Sequence, residues 1–176
     1  LVRRIGRVTE TRFAEPRVIS ESHDLSLFDC GEPALDDWLR ERALENLRLG
    51  ASRTYVSCEA GSKRVVGFYA LSMGGILGSE TTGAMRRNMP RVIPAAILGR
   101  LAVDRAMQGA GLGGALLRDA TFRVLRAASE VSARLLLVHA LSPAAESFYA
   151  RYGFTRLPGE APTLALDLVK LTKSAV

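Results

Sequence analysis

The sequence predicts an α/β protein built on one mixed β-sheet with helices packed on its faces. Three observations carry that expectation. β-Rich runs and runs of helical periodicity follow one another in the order β, α, β, β, β, loop, α, β, α, β, β. The continuously apolar run "RLLLVHA" (134–140) comes after a strand and a long helix, as a parallel strand covered on both faces does after a crossover. The 176 residues, 48% of them hydrophobic, are enough for one well-buried core and short for two. One domain is therefore expected over residues 18–176, preceded by an N-terminal extension over 1–17.

Each element has its own local reason. "RVISESHD" (17–24) reads as a short first strand, and "GEPALDDWLRERALENLRLG" (31–50) as one amphipathic helix. Pro33 suits the first turn of that helix, Leu35, Trp38 and Leu39 recur at helical spacing, and Gly50 stops it. "SRTYVSCE" and "RVVGFYALSMGGI" flank Ala60-Gly61-Ser62-Lys63 as the arms of a hairpin. The Gly-, Pro- and charge-rich stretch 77–94 reads as a surface connection. "AAILGRLAVD" is a strand, and "GGALLRDATFRVLRAA" is a helix with an apolar stripe of Leu117, Ala120, Val124 and Ala127. Ser142 followed by Pro143 opens a short helix, "SPAAESFYARY", that Gly153 ends, and "FTRL" and "TLALDLVKL" supply two closing strands.

Composition narrows the function classes. No apolar run reaches membrane-spanning length, and the Arg-dotted N-terminal stretch lacks the apolar block of a signal peptide, so a soluble cytoplasmic protein is expected. Cys30 and Cys58 stand far apart with only His23 and His139 to help them, a pattern that suits no metal site. The net charge is +6, and among the 24 basic residues only Lys63, Lys170 and Lys173 are lysine. Arginine grips phosphate bidentately and stacks on bases, although an arginine-rich composition would produce the same count.

The segment "AMQGAGLGGALL" places Gly109, Gly111, Gly113 and Gly114 between a strand and a helix. A dinucleotide fold needs such a fingerprint at its first strand and a carboxylate roughly 20 residues on, and here the loop comes late and no carboxylate waits. A Walker loop is excluded because no Gly-Lys-Ser/Thr follows. Backbone N–H groups of Gln108 to Gly114, turned inward at a helix start, form a nest suited to a pyrophosphate such as that of coenzyme A. A turn that only packs strand against helix is the plain alternative.

"GRLAVDRAMQGAGLGGALL", with Gln108, Gly111 and Gly113 in a Gln/Arg-x-x-Gly-x-Gly/Ala pattern, resembles the acetyl-CoA loop of the GNAT superfamily of N-acetyltransferases, and "FYARYGF" resembles its second cofactor region. The resemblance implies the acyl-CoA N-acyltransferase fold, in which two parallel central strands, here Ile97 to Val103 and Leu135 to His139, splay apart around the pantetheine arm. It assigns acetyl-CoA to the backbone of Leu101, Ala102 and Val103, to the loop residues Gln108, Gly109, Ala110, Gly111, Leu112, Gly113 and Gly114, and to Ser142 and Phe148. More narrowly, "HDLSLFDCGEPALDDWLRERALENLRLGASRTYV", "GFYALS", "IPAAILGRLAVD" and "LLVHALSPAAESFYARYGF" resemble the acetyltransferase toxins of type II toxin–antitoxin systems, over about His23 to Leu168. Those toxins acetylate the amino group of aminoacyl-tRNA. The resemblance therefore implies charged tRNA as acceptor and a cognate antitoxin, a small DNA-binding protein of ribbon-helix-helix type, and it is compatible with a homodimer. Ala110 departs from the pattern, since many of these toxins carry a basic residue there.

The transfer needs a neutral amine, a polarised carbonyl and a proton for the leaving sulfur. An α-amino group, with a pKa of about 8, is partly neutral without help, so no strong base is required. A backbone N–H near Val103 can polarise the carbonyl. Tyr149 in the short helix is the expected proton donor, which the resemblance also assigns, with Tyr152 as its competitor. His23 and His139 are expected to cap or pack. Arg86, Arg87, Arg91, Arg100 and Arg105 between Ala84 and Arg105, and Arg40, Arg42, Arg48 and Arg53 on and after the first helix, form two basic clusters suited to RNA phosphates, with Arg86, Arg87, Arg91, Arg42, Arg48 and Arg53 as the candidate contacts. Two other readings stay open: an acetyltransferase for a small amine or a protein N-terminus, and a non-catalytic acetyl-CoA-sensing module.

Overall fold

A computed structural model describes residues 12–173. Seven strands form one sheet in the order β1-β2-β3-β4-β5-β7-β6. β1 (Arg17–Val18), β2 (Arg53–Cys58), β3 (Val65–Leu77) and β4 (Val92–Val103) are antiparallel neighbours, β5 (Leu135–His139) lies parallel to β4, and β7 (Thr163–Asp167) and β6 (Thr155–Arg156) close the sheet antiparallel. The expected mixed sheet and its single parallel pair are both present. Positions 1–11 of the expected extension lie outside the described residues; from Arg12 the chain runs beside β2, with Ala14 N–H donating to the Cys58 carbonyl at 2.8 Å.

Alternation along the strands sorts the core onto two faces. On one, Tyr69, Leu98, Leu136 and Val138 pack beneath α4 (Leu112–Glu130) and α5 (Pro143–Arg151). On the other, Val56, Phe68 and Ala102 pack beneath α1 (Pro33–Glu41) and α2 (Ala43–Arg48), while Ile93, Ala95, Leu135 and Leu137 lie beneath Met85 of the short α3 (Gly83–Arg86).

Four local expectations need correction. The first helix is two: at Arg42 the backbone leaves helical geometry (φ −120°, ψ −25°), and the bend lets Leu39 and Ala43 both sink fully onto the twisted sheet. β4 starts at Val92, three residues before the expected Ala95, because the long β3 offers it partners as far as Leu77. In α4, Leu117, Ala120 and Val124 are buried as the stripe requires, but Ala127 is exposed. The last strand stops at Asp167, opposite the first residue of β5, and α6 (Leu168–Lys173) follows. The Asp167 carboxylate starts that helix by accepting the N–H groups of Val169 and Lys170 at 3.1 and 3.2 Å.

The sheet opens at one place. β4 and β5 pair only from Ala95 with Leu135 to Leu98 with Val138. Gly99 is then an extra residue against β3, since Ala70 pairs Arg100 and Leu71 pairs Leu98, and this bulge turns β4 away from β5. From Arg100 to Val103, β4 keeps β3 on one edge and has no strand on the other.

Candidate active site at the strand fork

The glycine loop follows directly from the open half of β4. Asp104, buried, caps a 3-10 turn over Arg105–Met107: its carboxylate accepts the Ala106 N–H at 2.9 Å, and its carbonyl accepts those of Met107 and Gln108. Gly109 (φ +77°) and Gly111 (φ +85°) adopt left-handed geometry that an L residue reaches only with strain, and Gly111 is the N-cap of α4. The N–H of Ala110 closes back onto the Met107 carbonyl, whereas those of Gly109, Gly111, Leu112, Gly113 and Gly114 find no acceptor among the described residues. Five donors at the positive end of a 19-residue helix make a concave anion cradle, with the space outside Gly109 and Gly111 open. A pyrophosphate fits this donor set.

The expected cofactor residues divide by what their side chains do. Leu112 faces the core, so only its backbone can serve. A methyl at Gly113 would lie 3.7 Å from both Val103 and Phe148, which places β4, the loop and α5 in mutual contact. A methyl at Gly114 would overlap the Tyr152 hydroxyl, so the tyrosine packs directly over this glycine and would have to move for any larger residue. Gln108 donates from Nε2 to the carbonyls of Val103 at 2.9 Å and Cys30 at 3.0 Å, tying the loop to the end of β4 and to the segment before α1. Ser142 caps α5, its hydroxyl accepting the Ala145 N–H at 3.1 Å.

The two tyrosines of the last turns separate clearly. Tyr149 is 7% exposed, set edge-on to Phe148 at 5.2 Å and tilted against Phe154 at 5.5 Å. Its hydroxyl makes no hydrogen bond among the described residues, and burial pushes its pKa up to about 12, so the phenol stays protonated. Tyr152 is 37% exposed and covers the first turn of α4. Each histidine has a local partner at one ring nitrogen: His23 Nδ1 accepts the Ser20 N–H at 2.9 Å within a turn, and His139 Nδ1 bonds Thr163 Oγ1 at 2.8 Å.

The candidate RNA arginines also divide. Arg42 pairs with Glu45 and Arg48 with Glu21, whereas Arg53, Arg86, Arg87 and Arg91 are exposed and their side chains carry no ion pair or hydrogen bond among the described residues. Sequence reasoning missed a clasp beside the loop. Asp104 also accepts the Asp29 N–H at 3.1 Å, and the Arg105 N–H donates to the Asp29 carbonyl at 2.9 Å, so residues 29–30 are sewn to the loop from three directions when Gln108 is included. An aspartate between a strand and a glycine loop carried the signal of a cap, but its second partner is 75 residues away.

Residues 51–156 match the acetyltransferase (GNAT) domain family, and the match contains the fork, the loop and α5. The chain is 47% identical over 163 residues to the tRNA-acetylating toxin of Mycobacterium tuberculosis, covering 93% of this chain and 95% of that one. Among solved structures, AtaT complexed with acetyl-methionyl-tRNAfMet superposes with a TM-score of 0.86 at 28% identity, over 93% of this chain and 99% of AtaT. A mutant AtaT bound to the C-terminus of the antitoxin AtaR and acetyl-CoA superposes with a TM-score of 0.79 at 29% identity, over 94% and 99% of the two chains. The splayed parallel pair, the glycine cradle at the start of α4 and these similarities agree: the chain is an N-acetyltransferase of the GNAT family, in the same group as the tRNA-acetylating toxin of M. tuberculosis.

Proposed function

We propose that this protein is the toxin of a toxin–antitoxin pair, which transfers the acetyl group of acetyl-CoA to the α-amino group of aminoacyl-tRNA in the cytoplasm and so blocks translation. The observation that carries the reading is near-complete alignment with a tRNA-acetylating toxin at 47% identity, on a chain whose fork, cradle and buried phenol are all in place. No helix of the described residues is long and apolar enough to cross a membrane.

The cradle of Gly109 and Gly111–Gly114 would hold the pyrophosphate of acetyl-CoA, and the unpaired edge of β4 from Arg100 to Val103 would bond the pantetheine arm. Acetyl-CoA supplies the activated acyl group; the chain supplies position, a hydrogen bond to the carbonyl from the β4 edge, and a proton. As the acceptor nitrogen bonds to the acetyl carbon and the carbon–sulfur bond breaks, Tyr149 protonates the departing sulfur. The surplus amine proton passes to water, from which Tyr149 is recharged. With an α-amino pKa of about 8 the acceptor needs no protein base.

The free arginines Arg86, Arg87 and Arg91 would hold RNA phosphates, and an acidic antitoxin tail would cover the same charges. The direct test incubates the purified chain with labelled acetyl-CoA and bulk charged tRNA. Label should enter the tRNA fraction and leave with the amino acid on mild alkaline hydrolysis of the ester. Label in small amines or peptide N-termini alone, or binding of acetyl-CoA without turnover, would sink this reading.

A further inference from the structure

Four arginines of the described chain are part-buried: Arg64, Arg100, Arg123 and Arg134. Three of them face carboxylates, with Arg64 paired to Asp104, Arg123 to Asp119 and Arg134 to Asp167. The Arg100 side chain has no ion pair and no hydrogen bond among the described residues. Its guanidinium carbon lies 4.1 Å from the centroid of the Trp38 ring, and Trp38 is itself stacked on the buried Phe68. Burial depresses the Arg100 pKa and no neighbouring charge opposes the shift. A cation–π contact takes up the face of the guanidinium and leaves its in-plane N–H donors, none of them fully buried, open to a ligand.

The position of this group is as specific as its chemistry. Arg100 is the first residue of β4 beyond the bulge at Gly99, where the strand parts from β5 and Gly99 itself is exposed. The contact with Trp38 puts the guanidinium on the α1 side of the sheet, opposite the face that α4 and α5 cover. Gly99 is exposed and has open space where a side chain would be, so the fork beside Arg100 is accessible to an acceptor. In an aminoacyl-tRNA the nearest formal negative charge to the reacting amine is the phosphodiester joining the last two nucleotides, one ribose away. Arginine's planar fork matches a phosphate's oxygens, and phosphate contacts set position without reading sequence.

We propose that Arg100, held by Trp38, binds the terminal phosphodiester of the acceptor and is a specificity-determining residue for nucleic-acid-linked amines over free ones. This rests on the acceptor being aminoacyl-tRNA. Trp38 is the positioning residue: it supports the guanidinium from one side and leaves its donors directed elsewhere.

The test compares two minimal acceptors carrying the amino acid that the enzyme acetylates on bulk charged tRNA. One is the aminoacyl ester of adenosine, which lacks a phosphate, and the other is the aminoacyl ester of the dinucleotide CpA, which has the one phosphodiester in question. Wild-type protein should show a kcat/KM for the dinucleotide ester at least about tenfold higher, the size expected of charge-assisted hydrogen bonds to a phosphate. Arg100→Gln should collapse that ratio towards one through a raised KM for the dinucleotide ester, and Arg100→Lys should restore part of it; acetyl-CoA affinity by calorimetry checks that each variant is folded. A wild-type ratio near one overturns the proposal whether or not the variants fold, and so does a ratio that Arg100→Gln leaves unchanged. If wild-type protein acetylates charged tRNA while either of these holds, only the role of Arg100 falls; if it acetylates neither charged tRNA nor either ester, the assignment of the acceptor falls and this proposal with it.

Discussion

Tyr149 and Tyr152 are three residues apart and chemically identical, yet burial gives them different work. A phenol buried to 7% exposure and raised to a pKa of about 12 is fully protonated throughout the range where an α-amino group becomes neutral. Tyr149→Phe should therefore keep acetyl-CoA affinity and lower kcat by about 100-fold or more, while Tyr152→Phe costs much less. The pH profile of kcat/KM provides a second check. Because the acid is active in its protonated form, the rate should rise through the amine's ionisation and show no descending limb near the ordinary phenol value of about 10. A limb at that value would count against Tyr149 as the acid. Gly111 is required for a different reason: its Cβ would meet nothing within 4 Å, so φ +85° and the open space of the cradle make the constraint. Gly111→Val should weaken acetyl-CoA binding at least tenfold by strain of about 1–3 kcal/mol and by intrusion on the phosphates, measurable by calorimetry.

At the scale of elements, two aspartates join parts of the chain that are remote in sequence. Asp104 and Gln108 fasten the segment before α1 to the glycine loop, so the wall on the acceptor side and the cofactor cradle move as one piece. Gln108→Ala removes both of its bonds without touching the cradle's own N–H groups. It should raise the KM for charged tRNA and for acetyl-CoA together, and an effect on neither would make the clasp ornamental. Asp167 joins β7 to α6 and to Arg134, whose guanidinium donates to both carboxylate oxygens at 3.2 and 2.8 Å. Burial alone would raise its pKa, but the bonds from Arg134 and the Lys170 N–H, together with their charges, hold it below the ordinary carboxylate value. A carboxylate whose folded pKa is depressed adds stability that is complete above its unfolded pKa of about 4 and is lost as pH falls through the lower folded value. Asp167→Asn should accordingly destabilise the protein at neutral pH by about 3 kcal/mol, since it leaves a largely buried guanidinium unpaired, and the deficit should shrink in acid. Urea midpoints at a series of pH values decide it.

Over the whole molecule, the arginines fall into classes that the net charge of +6 conceals. Those on α1 and α2 are largely occupied by neighbouring acids, whereas Arg86, Arg87 and Arg91 stand free at the end of α3 and before β4. Neutralising the three together should lower affinity for charged tRNA and for the antitoxin while sparing acetyl-CoA, and it should flatten the salt dependence of both macromolecular interactions. Wild-type tRNA binding in that triple variant would move the footprint to Arg53 and the α2 face. The sequence alone determined the main order of strands and helices, the single parallel crossover, the glycine loop at the start of α4 and the short helix that carries Tyr149, because those depend on periodicity, on backbone freedom at glycine and on caps, all of which act within a few residues; the role of Tyr149 came from family resemblance. It could not show the break at Arg42, the end of β7 or the early start of β4, since each is set by where a neighbouring strand or face runs out. Nor could it show which arginines are free, that Asp104 and Gln108 reach back to residues 29 and 30, or that Arg100 meets Trp38 without a carboxylate. Those facts are contacts between residues tens of positions apart, and only the packing of helices onto the twisted sheet brings such groups within bonding distance.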